Sequence, residues 1–175
     1  LMPLAHKLNP RAALLGVRAR ATEEGNLRWF RRQFEGGFDQ ADIRSEAAAF
    51  NAFLAGAIRG YALDADDLVL LGYSNGADMI GAVATLYPDS VRKAVLLRGQ
   101  QAAEGESGEG TEDTSGQGKL LLLSGADDNL VTAEAAARLK SGLEQAGHTI
   151  THQTLKAGHW MVDADTAAVR QWLDA

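Results

Sequence analysis

Apolar residues along the chain recur with two different periods, and the switches between them outline the fold. Leu1 to Leu8 reads as an amphipathic helix that ends at Asn9-Pro10, where proline blocks continuation. Ala12-Ala13-Leu14-Leu15-Gly16-Val17 is a short apolar run and predicts a buried strand. Arg18 to Gly37 has no period and reads as loop. From Asp39 to Tyr61, Ile43, Ala47, Phe50, Leu54, Ala57 and Ile58 recur at helical spacing, with Gly60 at the end. Leu68-Val69-Leu70-Leu71, Lys93 to Arg98 and Lys119 to Ser124 predict three more buried strands. A helix is expected over Ala77 to Leu86, stopped by Tyr87-Pro88-Asp89. Another runs from Thr132, its N-cap, to Ala146, with Gly147 as its stop. Thr149 to Leu155 alternates like an edge strand, and Asp163 to Leu173 closes the chain as a helix. Strand alternating with helix predicts one α/β domain over residues 1–175, a mostly parallel sheet with helices on both faces.

One stretch lacks any face to bury. Between residues 100 and 118 the chain is dominated by Glu, Asp, Gly, Ser and Thr, which predicts a flexible acidic loop. Its carboxylates lack the alternating spacing of a calcium loop, so no metal is expected there. Arg28-Trp29-Phe30-Arg31-Arg32, with Phe34 and Phe38, reads as a basic rim over packed rings rather than a phosphate site.

Composition narrows the function. Seventeen basic against 23 acidic residues give a net charge of −6, which argues against nucleic acid as a partner. The chain has no cysteine, so disulfides and thiolate metal sites are excluded and no compartment is dictated; a cytoplasmic setting is the expectation. No apolar run approaches the roughly 18 residues of a membrane span, and no signal peptide is expected.

The chemistry centres on Gly72-Tyr73-Ser74-Asn75-Gly76, set between a strand and a helix. Gly-x-Ser-x-Gly in that context is a nucleophile elbow: the serine sits on a turn tight enough to require glycine on both flanks, at a helix N-terminus that favours negative charge. In an open parallel sheet, active groups lie beyond the carboxyl ends of the strands. Ser74, the Asp127-Asp128 pair and His159 all follow directly after strands, whereas His148 lies at the opposite edge, His152 inside a strand and His6 on the first helix. Serine, acid and histidine in that order are the parts of a triad, in which imidazole takes the hydroxyl proton and a carboxylate orients the ring.

These residues resemble the phospholipase/carboxylesterase branch of the α/β-hydrolases, in particular its small bacterial esterases. Gly72 to Ala77, Arg28-Trp29-Phe30, Phe38-Asp39 and Gly158-His159 carry the likeness across nearly the whole chain. The resemblance implies a three-layer α/β-hydrolase fold and a serine carboxylic-ester hydrolase acting on small or short-chain acyl esters. It selects Asp128 over Asp127 as the acid, since Asp128 stands three residues after Gly125 and before Leu130-Val131. It assigns the Asn75 N–H to the oxyanion hole and Trp29 and Phe30 to substrate binding. No cofactor is implied. The expected partner is a small-molecule ester, with a homodimer left open as an assembly.

The likeness fails at the front, where the family has a strand and a His-Gly-x-Gly-Gly-like loop supplying a second oxyanion donor. Leu1 to Ala5 resembles the helix that follows that loop. The expectation is therefore a fragment, or a chain whose start was lost. The rival readings are an impaired hydrolase scaffold that binds a small molecule or partner, and a dienelactone-hydrolase-like enzyme, whose usual cysteine is absent.

Overall fold

A computed structural model describes residues 1–23, 25–31, 37–104 and 118–175. Arg32, Phe34 and residues 105–117 of the acidic stretch lie outside the described residues. The elements are α1 (Met2–Leu8), β1 (Ala21–Glu23), β2 (Asn26–Arg28), α2 (Gln40–Gly60), β3 (Val69–Tyr73), α3 (Asn75–Leu86), β4 (Lys93–Leu97), β5 (Lys119–Gly125), α4 (Ala133–Gln145), β6 (Thr149–Leu155) and α5 (Asp163–Leu173).

β3, β4, β5 and β6 form one parallel sheet in that order. Side chains on successive strand residues point to opposite faces, so each apolar strand divides its residues between two layers. Leu96, Leu120 and Leu122 pack with Ile43 and Phe50 of α2, Met79 and Val83 of α3, and Leu139 and Leu143 of α4. Val95, Leu97, Leu121 and Leu123 pack on the other face with Ala168, Val169 and Trp172 of α5 and Leu4 and Leu8 of α1. The result is a three-layer α/β fold. Local signals set the helix ends: Asp39 caps α2 by accepting from the Ala41 and Asp42 N–H groups, Thr132 caps α4 through Ala135, and Gly147 follows α4 at φ +90°.

Three expectations need correction. Ala12 to Val17 is not a strand, and Leu14, Leu15 and Val17 are exposed. An apolar run becomes a strand only where a neighbour satisfies its N–H and C=O groups, and among the described residues none lies beside it or beside the outer edge of β3. Residues 18–37 are not simply loop, because β1 and β2 form a small antiparallel ribbon with Thr22 opposite Leu27. Arg20 ties that ribbon to α2 through two bonds to Glu46, at 2.7 and 3.0 Å. The start of the acidic stretch is docked rather than flexible. Ala102 and Ala103 are buried, the Gln40 amide donates to the Ala102 carbonyl at 2.9 Å, and the Glu104 N–H donates back to Gln40 at 2.8 Å.

Leu122 has no exposed surface and sits where three helices meet the sheet. Leu122→Ala is expected to destabilise the fold by about 2–5 kcal/mol, through lost burial and the cavity left behind. Urea denaturation checks this, with a lower midpoint at an unchanged slope as the expected result.

Candidate active site

The ladder fixes where the polar groups emerge. Beyond the last paired residues, the Ser74 N–H donates to the Leu97 carbonyl at 2.8 Å, the Arg98 N–H to Leu123 at 2.9 Å, and the Ala126 N–H to Leu155 at 2.8 Å. Each strand therefore hands its chain to a loop at the same edge, and these loops carry Ser74, Arg98, Asp128 and His159.

The turn at Ser74 is tight. A Cβ on Gly72 would stand 2.6 Å from the Gly76 carbonyl oxygen and 2.7 and 2.8 Å from the Ala77 backbone, so only glycine allows β3 and α3 to approach this closely. Gly76 is different: a Cβ there would meet only the Trp29 Nε1 at 3.7 Å, an ordinary contact. The steric demand for glycine therefore falls on one flank, not both. Ser74 itself has φ +52°, a strained value for a residue with a side chain. It precedes Asn75, the first residue of α3, whose N–H has no partner within the helix. The Asn75 side-chain oxygen accepts from the Trp29 N–H at 2.9 Å, which fixes the ribbon against the turn.

Ser74 Oγ lies 3.0 Å from His159 Nε2, and His159 Nδ1 lies 2.9 Å from Asp128 Oδ2. The other Asp128 oxygen accepts from the Leu130 and Val131 N–H groups, at 2.8 and 3.0 Å. Asp128 has no exposed side-chain surface, and His159 is one-tenth exposed. Burial pushes the Asp128 carboxyl up, but the Val131 and Leu130 N–H groups and the His159 ring outweigh it and hold the carboxyl below its ordinary range. An ionised carboxylate only accepts, so it places the imidazole proton on Nδ1 and leaves the Nε2 lone pair facing the serine hydroxyl. Asp127 is exposed and takes no part in this chain of bonds.

The flanking groups separate into supports and rim. The Tyr73 hydroxyl donates to the His159 carbonyl at 3.1 Å, and burial raises its pKa above the ordinary value. Trp160, Leu130 and Met161 are exposed apolar residues close in sequence to His159 and Asp128. Trp29 is partly buried and packs edge-on against Phe50. Phe30 is wholly buried against Phe38 and offers no surface of its own to a substrate. Arg31 is exposed and pairs with Asp42 at 3.2 Å and Asp39 at 3.5 Å.

The remaining histidines are occupied elsewhere. His148 accepts from the Gly118 N–H, which leaves Nε2 to donate to the Ala84 carbonyl; burial holds it below its ordinary pKa. His152 Nε2 meets Ser124 Oγ at 2.9 Å. Among the described residues no carboxylate bonds its other nitrogen, so this second Ser–His pair lacks the orienting acid. Sequence reasoning did not anticipate that pair, nor the buried Arg98–Asp165 ion pair beneath the His159 loop. The one hint of the latter is an arginine at the end of an apolar strand. Among the described residues no cluster of His, Asp and Glu is arranged to hold a metal, and no helix is long and apolar enough to cross a membrane.

No protein-family model matches the sequence. MhqD of Bacillus subtilis (strain 168), named as a hydrolase, is 27% identical over 172 residues, covering 98% of this chain and 84% of that protein. The carboxylesterase of Mesorhizobium loti superposes with a TM-score of 0.88 at 32% identity, over 100% of this chain and 81% of that one. The Bacillus cereus carboxylesterase gives a TM-score of 0.88 at 28% identity, over 99% and 80%.

The bonds to Asp128 have a measurable consequence. The folded carboxyl protonates at lower pH than the unfolded one, so it stabilises the fold fully above the unfolded value of about 3.9. That contribution is lost as pH falls through the folded value. Asp128→Asn is therefore expected to be less stable than wild type near neutrality, with the gap closing on acidification below about pH 4. Urea titrations of both proteins at the two pH values check this.

Proposed function

The chain belongs to the phospholipase/carboxylesterase family of α/β-hydrolases, and from that footing we propose that it is a serine carboxylic-ester hydrolase working through an acyl-enzyme. The observation that carries the reading is the unbroken line of bonds from Ser74 Oγ through His159 to Asp128 at the carboxyl edge of the sheet.

In this reading Ser74 Oγ attacks the ester carbonyl as His159 Nε2 takes its proton, and the same proton then goes to the departing alcohol. Asp128 keeps Nδ1 protonated and stabilises the imidazolium formed in between. The Asn75 N–H, at the positive end of α3, donates to the oxyanion of the tetrahedral intermediate. Water, activated by the same imidazole, then hydrolyses the acyl-Ser74 ester and regenerates the hydroxyl. Trp29 flanks the elbow, and Leu130, Trp160 and Met161 supply apolar surface for a small or short-chain acyl group.

Hydrolysis of p-nitrophenyl acetate tests the reading. Ser74→Ala is expected to lower kcat/KM by about 10³-fold or more, and a long-chain ester is expected to be turned over more slowly than the acetate. A folded wild-type chain without Ser74-dependent turnover would sink the proposal and favour a binding scaffold.

A further inference from the structure

We propose that the buried Arg98–Asp165 ion pair positions His159, acting as a brace that holds the histidine loop in register with the elbow. The proposal rests on the ester-hydrolase reading above and adds to it two residues that touch neither Ser74 nor the ring.

Arg98 follows the last residue of β4 and is completely buried, with Asp165 1% exposed. Its Nη1 and Nη2 donate to the two Asp165 oxygens at 2.8 and 3.0 Å, the paired geometry that suits guanidinium to carboxylate. Nη1 also donates to the Leu123 carbonyl at 3.3 Å, and Nε donates to the carbonyl of Gly158, the residue before His159, at 2.9 Å. Asp165 in turn accepts from the Val162 N–H at 2.8 Å. One ion pair thus joins the ends of β4 and β5, the start of α5 and the backbone on both sides of His159. Tyr73 holds the next carbonyl along, that of His159.

Two costs show that this arrangement is not incidental. Burying two charges is unfavourable, and a well-packed apolar pair at such a place is often as stable or more so. Arg98 also adopts φ +54°, a left-handed conformation that is strained for a residue with a side chain. In addition, a Cβ on Gly125 would stand 2.5 Å from the Ala157 and Gly158 carbonyl oxygens, so the end of β5 presses against the same loop. An apolar pair could fill the volume but could not donate to the Gly158 carbonyl. Because Arg98 and Asp165 cancel, the brace leaves no net charge beside the imidazolium that forms during turnover. Among the described residues the groups in contact with the His159 ring are then Ser74, Asp128 and Tyr73, with Trp160 edge-on to it.

The test uses the full chain carrying Arg98→Met with Asp165→Asn, which leaves no buried charge and keeps an acceptor for the Val162 N–H. With folding verified by circular dichroism, kcat is expected to fall about 10- to 100-fold, since small displacements of a catalytic group cost about that much, while KM stays within about threefold. The low-field NMR resonance of the His159 Nδ1 proton is expected to be sharp in wild type and to broaden or vanish in the double variant. A folded double variant with wild-type kcat and an unchanged resonance would overturn the proposal. Should the double variant not fold, Arg98→Lys decides by the same two readouts, because one ammonium cannot span both Asp165 oxygens and the Gly158 carbonyl. If wild type shows no Ser74-dependent turnover, the ester reading falls and the resonance alone decides the brace.

Discussion

The close approach of Gly72 to the backbone of Gly76 and Ala77 is the constraint on which the rest of the site depends. It lets β3 turn into α3 without a spacer, so Ser74 emerges at the sheet edge at a fixed height and angle. The positive φ of Ser74 is the conformational cost of that turn, and the ladder bond from its N–H to Leu97 helps to hold it. Once the hydroxyl is placed, the other strands need only end at the same edge. Parallel pairing in continuous register makes them do so.

Polar groups at that edge are ordered by hydrogen bonds to the backbone more than by bonds to each other. Asp128 is held by two N–H groups of its own turn, His159 by Tyr73 through its carbonyl, and Trp29 by Asn75. Backbone bonds of this kind fix a side chain's neighbours before any substrate arrives, which is the condition for low reorganisation during proton transfer. The buried Arg98–Asp165 pair extends the scheme beneath the histidine loop, exchanging some stability for the location of one carbonyl.

Much of this was legible in the residues. Strand and helix periods located β3 to β6 and α2 to α5 within a residue or two, because β3 to β5 are apolar runs, β6 alternates and the helices carry apolar stripes. Ser74, Asp128 and His159 could be assigned to one edge from chain order alone, since all three follow strands of a parallel sheet. Where the reading departed from the structure, the residues carried no information about their neighbours. Ala12 to Val17 has strand composition, but among the described residues no strand lies beside it. Phe30 has the chemistry of a pocket residue but is covered by Phe38. Gly76 belongs to the motif, yet a side chain there would fit.

The sequence by itself determined what depends on short-range order: element type, helix caps, the layering of apolar residues, the turn at Gly72 and the edge from which the polar groups emerge. Those follow from backbone sterics and from periodicity, which act within a few residues. Only the tertiary structure decided what depends on distance in space: that Phe38 covers Phe30, that Ser124 finds His152, and that Arg98 reaches across 67 positions to Asp165 beneath the histidine. The physical reason is that a charged or hydrogen-bonding side chain has the same identity wherever it sits. Its partner is set by how the sheet and its helices stack.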